Sequence, residues 1–271
     1  MTTITHPAAP APVLPERVGP LDAVRHTLTI AWRSLVQIRH NPMELADLSL
    51  QPLMFVALFA FVFGGALAGS PQAFLQFGLA GIIAQNALFL TMNTGVALNN
   101  DITKGVFDRF RSLPIARSAP LAGRIVADVV RQVWSMAILL GVGMLLGFRV
   151  QTGAASVVAA VILLVVVAGA FSWLPVLVAM LVDEPEKVMM LGFVVVFPLT
   201  FASSAFVPVA TMPGWMQGWV AVNPATLLVD AVRGLLVGGE VLAPALGALA
   251  WAAAIGAVCA PLALRAFRRR S

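Results

Sequence analysis

The sequence predicts an all-α membrane protein. It reads as six transmembrane helices preceded by an amphipathic interfacial helix. A cytosolic helix falls between spans 2 and 3, and re-entrant or interfacial helices fall between spans 5 and 6. Three observations predict this. The 271 residues are 60% hydrophobic and 11% charged, with mean hydropathy +0.93, whereas a soluble domain of that length needs far more polar surface. Apolar runs of about 20 residues recur, each long enough to cross ~30 Å of hydrocarbon at ~1.5 Å per residue. Lys and Arg collect in alternate connecting segments, the asymmetry that orients membrane proteins.

Residues 1–20, MTTITHPAAPAPVLPERVGP, are rich in Pro and Ala. They lack a basic start followed by an apolar core, so they read as a disordered cytosolic tail and not as a signal peptide. In residues 21–41, Val24, Leu28, Ala31, Trp32, Leu35 and Ile38 share one helical face, and Arg25, His26, Arg33 and Gln37 the other. This is a basic amphipathic helix lying in the membrane interface, ended by Asn41-Pro42. The six-span domain occupies residues 46–265. Its spans are Leu48–Ala68, Phe74–Leu98, Ile125–Phe148, Ala154–Val182, Val188–Phe206 and Val241–Leu264. Residues 266–271 form a basic cytosolic tail.

The N-terminal segment holds Arg17, Arg25, Arg33 and Arg39. The stretch NNDITKGVFDRFRSLPIARSAPLAGR, Asn99–Arg124, holds Lys104, Arg109, Arg111, Arg117 and Arg124, and the tail holds four more Arg. The opposite side receives only Arg149 and Arg233. Both termini and the 99–124 segment are therefore assigned to the cytosol. The net charge of +5 reports topology and contact with anionic lipid, and no nucleic-acid partner is expected. One cysteine, Cys259, excludes an internal disulfide and a cysteine metal cluster. His6, His26 and His40 all precede the first span, which excludes a histidine-based intramembrane site. No catalytic residue and no metal ligand is assigned.

Four groups of residues stand out. Read as a helix from Asp101 to Leu113, the 99–124 segment puts Ile102, Val106, Phe110 and Leu113 on one face. Asp101, Lys104, Asp108 and Arg111 fall on another. Asn100 is its expected N-cap and Pro114 its stop. The mixed charge suits a protein partner, and a solvated loop helix fits the spacing equally well. Span 2 carries Gln85, Asn86 and Asn93, and span 5 carries the stripe Phe193, Phe197, Phe201, followed by Ser203 and Ser204. Polar groups at membrane depth face protein or water, so these residues either pack helices together or line a transport path. Between spans 5 and 6, Trp215 and Trp219 lie one turn apart, and Asp230 and Arg233 are spaced to pair. That region is a structural lid or an outer gate, built from helices near Gly214–Val222 and Ala225–Leu236. Arg124, Asp128 and Arg131 form an ion-pair ladder where span 3 begins.

Two blocks carry a family resemblance. NDITKGVFDRFRSLPIARSAPLAGRIVADVVR, from Asn100, resembles the cytosolic loop of type-2 ABC exporter permeases, the daunorubicin-resistance-type membrane subunits above all. FPLTFASSAFVPVATMPGWMQGWVAVNPATLLVDAVRGLLVGG, Phe197 to Gly239, is similar to that family's late region in its F-x-S-x-x-F-x-P, M-P-x-W-x-Q, N-P and D-x-x-R elements. The resemblance implies that the loop helix is a coupling helix docking into an ATPase. Gly105 would then allow close approach, and Phe107 or Phe110 would anchor. Asp101, Lys104, Asp108, Arg109 and Arg111 would set the register, with Leu113 and Pro114 closing the helix. It further implies two ATPase copies, which bind ATP and Mg, and a second permease, the same chain or a sister. The chain itself has no G-x-x-x-x-G-K-[ST], so ATP is hydrolysed by another polypeptide and this chain is no enzyme. The function so implied is export of an amphipathic or hydrophobic drug, antibiotic or lipid across a bacterial plasma membrane. The rival is an ion-driven secondary transporter, which calls for ionisable residues deep in the spans and for internal repeats.

Overall fold

A computed structural model of the protein describes the backbone of residues 42–105 and 119–270, and the side chains over 50–105 and 127–266. The tail of residues 1–20 and the interfacial helix of 21–41 lie outside the described residues. Among the described residues the regular structure is helical throughout.

The first apolar run builds α1 (Pro42–Ala57), a π-helical turn (Leu58–Phe63) and α2 (Gly64–Ala68) in unbroken succession. Gly69 ends it with φ +78, a left-handed conformation open to a residue without Cβ, and its N–H bonds back to the Gly65 carbonyl. Ser70 then starts α3 (Pro71–Thr103): its Oγ accepts from the Ala73 N–H at 3.1 Å, and Pro71 fills the first helical position. α4 (Ala119–Leu145) follows, then α5 (Ala154–Phe171) and α6 (Trp173–Leu181), separated by Ser172 alone. α7 (Pro185–Phe201), a short 3-10 turn (Val209–Thr211), α8 (Gly214–Val222), α9 (Pro224–Val237) and α10 (Leu242–Arg270) complete the chain. α10 runs through most of the predicted tail of residues 266–271.

Five helical stretches are long and apolar enough to cross a membrane: Leu50–Ala68, Pro71–Thr103, Ala127–Leu145, Ala154–Leu181 and Leu242–Ala266. Expected span 5 differs. α7 has 17 residues, starts before Val188 and stops at Phe201, short of the predicted Phe206. Its end is fixed by Asn223, whose Nδ2 donates to the Leu199 and Ala202 carbonyls at 2.8 and 2.7 Å. These are the acceptors a helix leaves open at its C-terminus. The same Asn223 accepts through Oδ1 from the Ala225 N–H at 2.8 Å and so caps α9. α8 and α9 meet at a 73° bend and reach span length only together.

α3 is the central post, packed against α4, α5, α6, α7 and α9. Two of its glycines let the backbone of a neighbouring segment come close. A Cβ at Gly81 would collide with the Ala205 carbonyl, and one at Gly95 would lie 2.6 Å from the Pro175 oxygen. Helices in lipid gain no hydrophobic drive toward each other, so such backbone contact supplies the packing attraction. The fully buried Phe74, Leu75, Leu79, Leu164 and Leu228 fill the core around it.

Candidate functional site

A cavity of about 830 Å³ opens between α3, α4, α5, α6 and α7, with Gln51 of α1 at its edge. Apolar rings, Phe89, Trp173 and Phe193, line part of it. Aliphatic side chains such as Leu90, Val96, Val165 and Met189 extend the apolar wall, and polar groups interrupt it. Asn93, Thr94 and Asn100 reach it from α3, and Asp128, Arg131 and Gln132 from α4. The Arg131 Nη1 donates to the Asp128 Oδ1 at 2.8 Å, and the Thr94 hydroxyl donates to Oδ2 at 3.0 Å. The predicted ladder is thus present between Asp128 and Arg131; the Arg124 side chain lies outside the described residues. Asn86 donates to the Ser135 hydroxyl at 2.8 Å. The amide nitrogen of Gln132 is enclosed without an acceptor.

A smaller annex of about 190 Å³ adjoins this chamber, and Gln51, Asn86, Phe89 and Phe193 line both. Its walls are Phe55 from α1 and Phe197 and Phe201 from α7, and Ile82 and Gln85 of α3 form its floor. The i, i+4 stripe on α7 stacks as a ladder: Phe193 to Phe197 at 4.9 Å between centroids, Phe197 to Phe201 at 4.3 Å. Phe206 continues it at 5.3 Å and passes it to Phe59 in the π-helical turn at 4.3 Å. Gln85 is buried, and its Nε2 has no acceptor.

Six of the predicted path residues, Gln85, Asn86, Asn93, Phe193, Phe197 and Phe201, therefore line these two cavities. Ser203 and Ser204 do not. α7 ends at Phe201, so the chain turns away from the stripe before it reaches them. Ser203 donates to the Thr200 carbonyl, and Ser204 joins a different cluster.

That cluster is centred on Arg233 of α9. Its Nη1 donates to the Asp230 Oδ1 at 2.6 Å, its Nη2 to the Ser204 carbonyl at 2.7 Å and its Nε to the Phe77 carbonyl at 3.0 Å. The guanidinium sits 4.0 Å from the Phe77 ring centroid, a cation–π contact. Ser204 Oγ donates to the same Asp230 oxygen at 2.7 Å. The Asp230–Arg233 spacing was readable; the partners from α3 and from the segment after α7 were not, because they arrive through the fold. Trp215 and Trp219 occupy α8 as predicted and are exposed.

The loop end of α3 departs from the expected pattern. Asp101 does not begin a helix: Asp101–Thr103 is the last turn of α3, and Asn100 lies inside it. Nothing between Leu98 and Thr103 breaks a helix, so the run continues to Lys104, whose N–H bonds the Asn100 carbonyl, and to Gly105 at φ +63. Phe107, Asp108, Arg109, Phe110, Arg111, Leu113 and Pro114 lie outside the described residues. The residue that sequence reasoning missed is Asn99. It is fully buried, and its Nδ2 donates to the Ala179 and Val182 carbonyls at 3.0 and 2.8 Å, closing the end of α6. Its only signal was an asparagine ending an apolar run, and that signal was spent on Asn100. On the α6–α7 turn, Lys187 donates to Glu184 at 2.8 Å. This hydrogen bond, with the adjacent negative charge, holds the ammonium pKa above its ordinary value. No group of three acidic, His or Cys side chains among the described residues is arranged to hold a metal.

Residues 25–237 match the family model described as "ABC-2 type transporter". The chain belongs to the ABC-2 type transporter family. It is 41% identical to the daunorubicin resistance ABC transporter permease protein DrrB1 of Streptomyces coeruleorubidus, over 94% of this chain and 90% of that one. It is 29% identical to the probable doxorubicin resistance ABC transporter permease protein DrrC of Mycobacterium tuberculosis, over 92% and 90%. A putative transport permease, ycf38, of Cyanophora paradoxa is 24% identical over 78% of this chain and 73% of that one. The matched region of this ABC-2 chain takes in both cavities, the Arg233 cluster and the Asn99 tie.

Proposed function

We propose that the chain is the membrane-spanning permease subunit of an ATP-driven exporter of amphipathic or hydrophobic molecules, drugs and antibiotics among them. The family match over residues 25–237 carries this reading, and the relatives' names give the substrate class. The geometry agrees in kind. A chamber with polar and aromatic walls, set among apolar helices, suits a molecule with both kinds of surface. ATP and Mg are bound by a separate ATPase, present in two copies beside two permeases. The 99–124 segment and both termini face the cytosol of a bacterial plasma membrane, and the segment receives the ATPase. Trp215, Trp219, Asp230 and Arg233 stand at the opposite side, toward the exit.

In the mechanism this implies, ATP closes the ATPase pair and the 99–124 segments move. α3 follows them, because it is continuous through Thr103. Asn99 carries the end of α6 along, and with it the turn into α7. The walls of the chamber and annex belong to these same helices, so access to the cavities changes with the nucleotide state. A pull-down of the tagged chain from its native host, with an Asp108→Ala/Arg111→Ala variant as control, tests the reading. A P-loop ATPase retained by the wild type and lost by the variant is expected. An intact, folded chain without an ATPase in either sample would overturn it in favour of an ion-driven transporter.

A further inference from the structure

The depth of α8 in the bilayer can be read from its neighbours. α9 packs along α10: a Cβ at Gly247 would meet the Leu227 side chain, and one at Gly234 the Glu240 carbonyl. The two helices therefore run side by side in opposite directions. α8 meets α9 at 73°, so it crosses the direction of the α10 span instead of following it. Its level is fixed by Trp251 of α10, whose Nε1 donates to the Val222 carbonyl at the end of α8 at 2.9 Å. Trp251 lies about 14 Å along α10 from the outer end at Leu242, well inside a hydrocarbon layer of ~30 Å. α7 points the same way. Its 17 residues give about 25 Å of helix, short of a full crossing, and Asn223 ties its last carbonyls to the junction of α8 and α9.

At that level α8 turns Trp215, Trp219 and Val222 away from the protein, 81%, 52% and 56% exposed. No charged residue occurs between Lys187 and Asp230, so this face suits lipid and not a charged protein surface. Acyl chains alone do not suit it. Among the described residues neither indole N–H meets an acceptor, and an N–H set among hydrocarbon chains forfeits its hydrogen bond. Trp belongs at the membrane–water interface, where its N–H finds a polar partner. A bilayer thins beside a hydrophobic segment that is too short for it. We infer that the outer leaflet thins beside α7 and α8, so that the ester carbonyls of its phospholipids settle on the Trp215–Trp219 face. The short α7 sets the mismatch, and the flat α8 supplies the donors that hold the lowered lipid. The inference rests on the permease reading only in calling this leaflet the outer one.

Depth-resolved quenching tests it. The full chain with Cys259→Ala, purified with whatever partners accompany it, carries one NBD label at Gly218→Cys, where a Cβ meets nothing within 4 Å. A second such chain carries the label at Ala137→Cys, exposed on α4 about 12 Å from that helix's outer end. The two sites thus share a nominal depth on different helices. In phosphatidylcholine nanodiscs the quenchers are a lipid with a headgroup nitroxide, a lipid with a nitroxide near its chain end, and aqueous iodide. At 218 the headgroup nitroxide is expected to quench several-fold more than the chain-end one, and at 137 the order is expected to reverse. Ala221→Cys, also exposed on α8, gives the same reading should Gly218→Cys not fold. Dominant chain-end quenching at 218 overturns the inference, because α8 then lies among chains of ordinary length. Quenching there by iodide alone overturns it in favour of water, and quenching by none of the three in favour of a second copy covering the face. A headgroup signature at 137 as well also overturns it, because the thinning then does not belong to α7 and α8. The exporter reading fails separately. If an ATPase co-purifies and the chain-end signature is found, the exporter stands and the thinning falls. If the headgroup signature is found in a chain that brings no ATPase, the thinning stands and the exporter falls.

Discussion

The Arg233 cluster and the annex are two of the places where polar side chains enter the apolar bundle, and they treat their hydrogen bonds in opposite ways. At Arg233 each guanidinium nitrogen has a partner, Asp230 accepts from two donors and Ser204 acts through both its hydroxyl and its carbonyl. In the annex the Gln85 nitrogen has none. A buried polar network that is fully satisfied fixes one arrangement of its elements. A donor left open adds nothing to the fold and is suited to a visitor.

The contrast is broken most sharply at Arg233. Arg233→Ala leaves Asp230 and the Phe77 and Ser204 carbonyls without their donor. It is expected to lower stability by roughly 2–4 kcal/mol, less than for a fully enclosed pair because Asp230 is about a third exposed. Thermal unfolding in detergent reads this directly, and Arg233→Lys is expected to recover only part of the loss, because an ammonium cannot span three acceptors in a fork. Asn99→Ala comes next. Two carbonyls at the end of α6 lose their donor, for about 1–3 kcal/mol. Under the exporter reading, ATP hydrolysis then proceeds with less transport per ATP, seen as a lowered ratio of the two rates in proteoliposomes. The smallest effect has the opposite sign. Gln85→Leu removes an unsatisfied donor and is expected to leave stability unchanged or raise it by up to about 1 kcal/mol. A large loss there would make Gln85 a structural residue and erase the contrast.

Much of this architecture was legible beforehand, for a simple reason. Apolar run length is a local property, and a bilayer turns it into a helix. The predicted Phe74–Leu98 and Ala154–Val182 lie within a few residues of α3 and of α5 with α6, and the short Gly214–Val222 helix between prolines matches α8. Ends were harder. Asn100 reads as a cap from its neighbours, yet the helix runs past it to Gly105, where a positive φ ends the run. Phe206 reads as span, yet Asn223 ends α7 at Phe201 from more than twenty positions away. The candidate site follows the same division. The phenylalanine stripe and the span 2 amides were visible as periodicity. Gln51 and Phe55, which complete the cavities from α1, carry no signal of their own. Ser203 and Ser204 misled because proximity in sequence was taken for a shared face.

α3 has 33 residues, about 50 Å of helix against ~30 Å of hydrocarbon. It is gripped at Gly81 by the backbone at Ala205 and at Gly95 by the backbone at Pro175, two bearings about 21 Å apart along its axis. A rod held at two such points cannot swivel about either one, and a helix barely compresses along its length. Motion open to it is a slide or a turn of the whole shaft. A push delivered at Gly105 therefore arrives at Ala205, next door to the Arg233 cluster, with little loss on the way. Under the exporter reading, its two faces are then connected by a piston and not by a chain of side-chain signals.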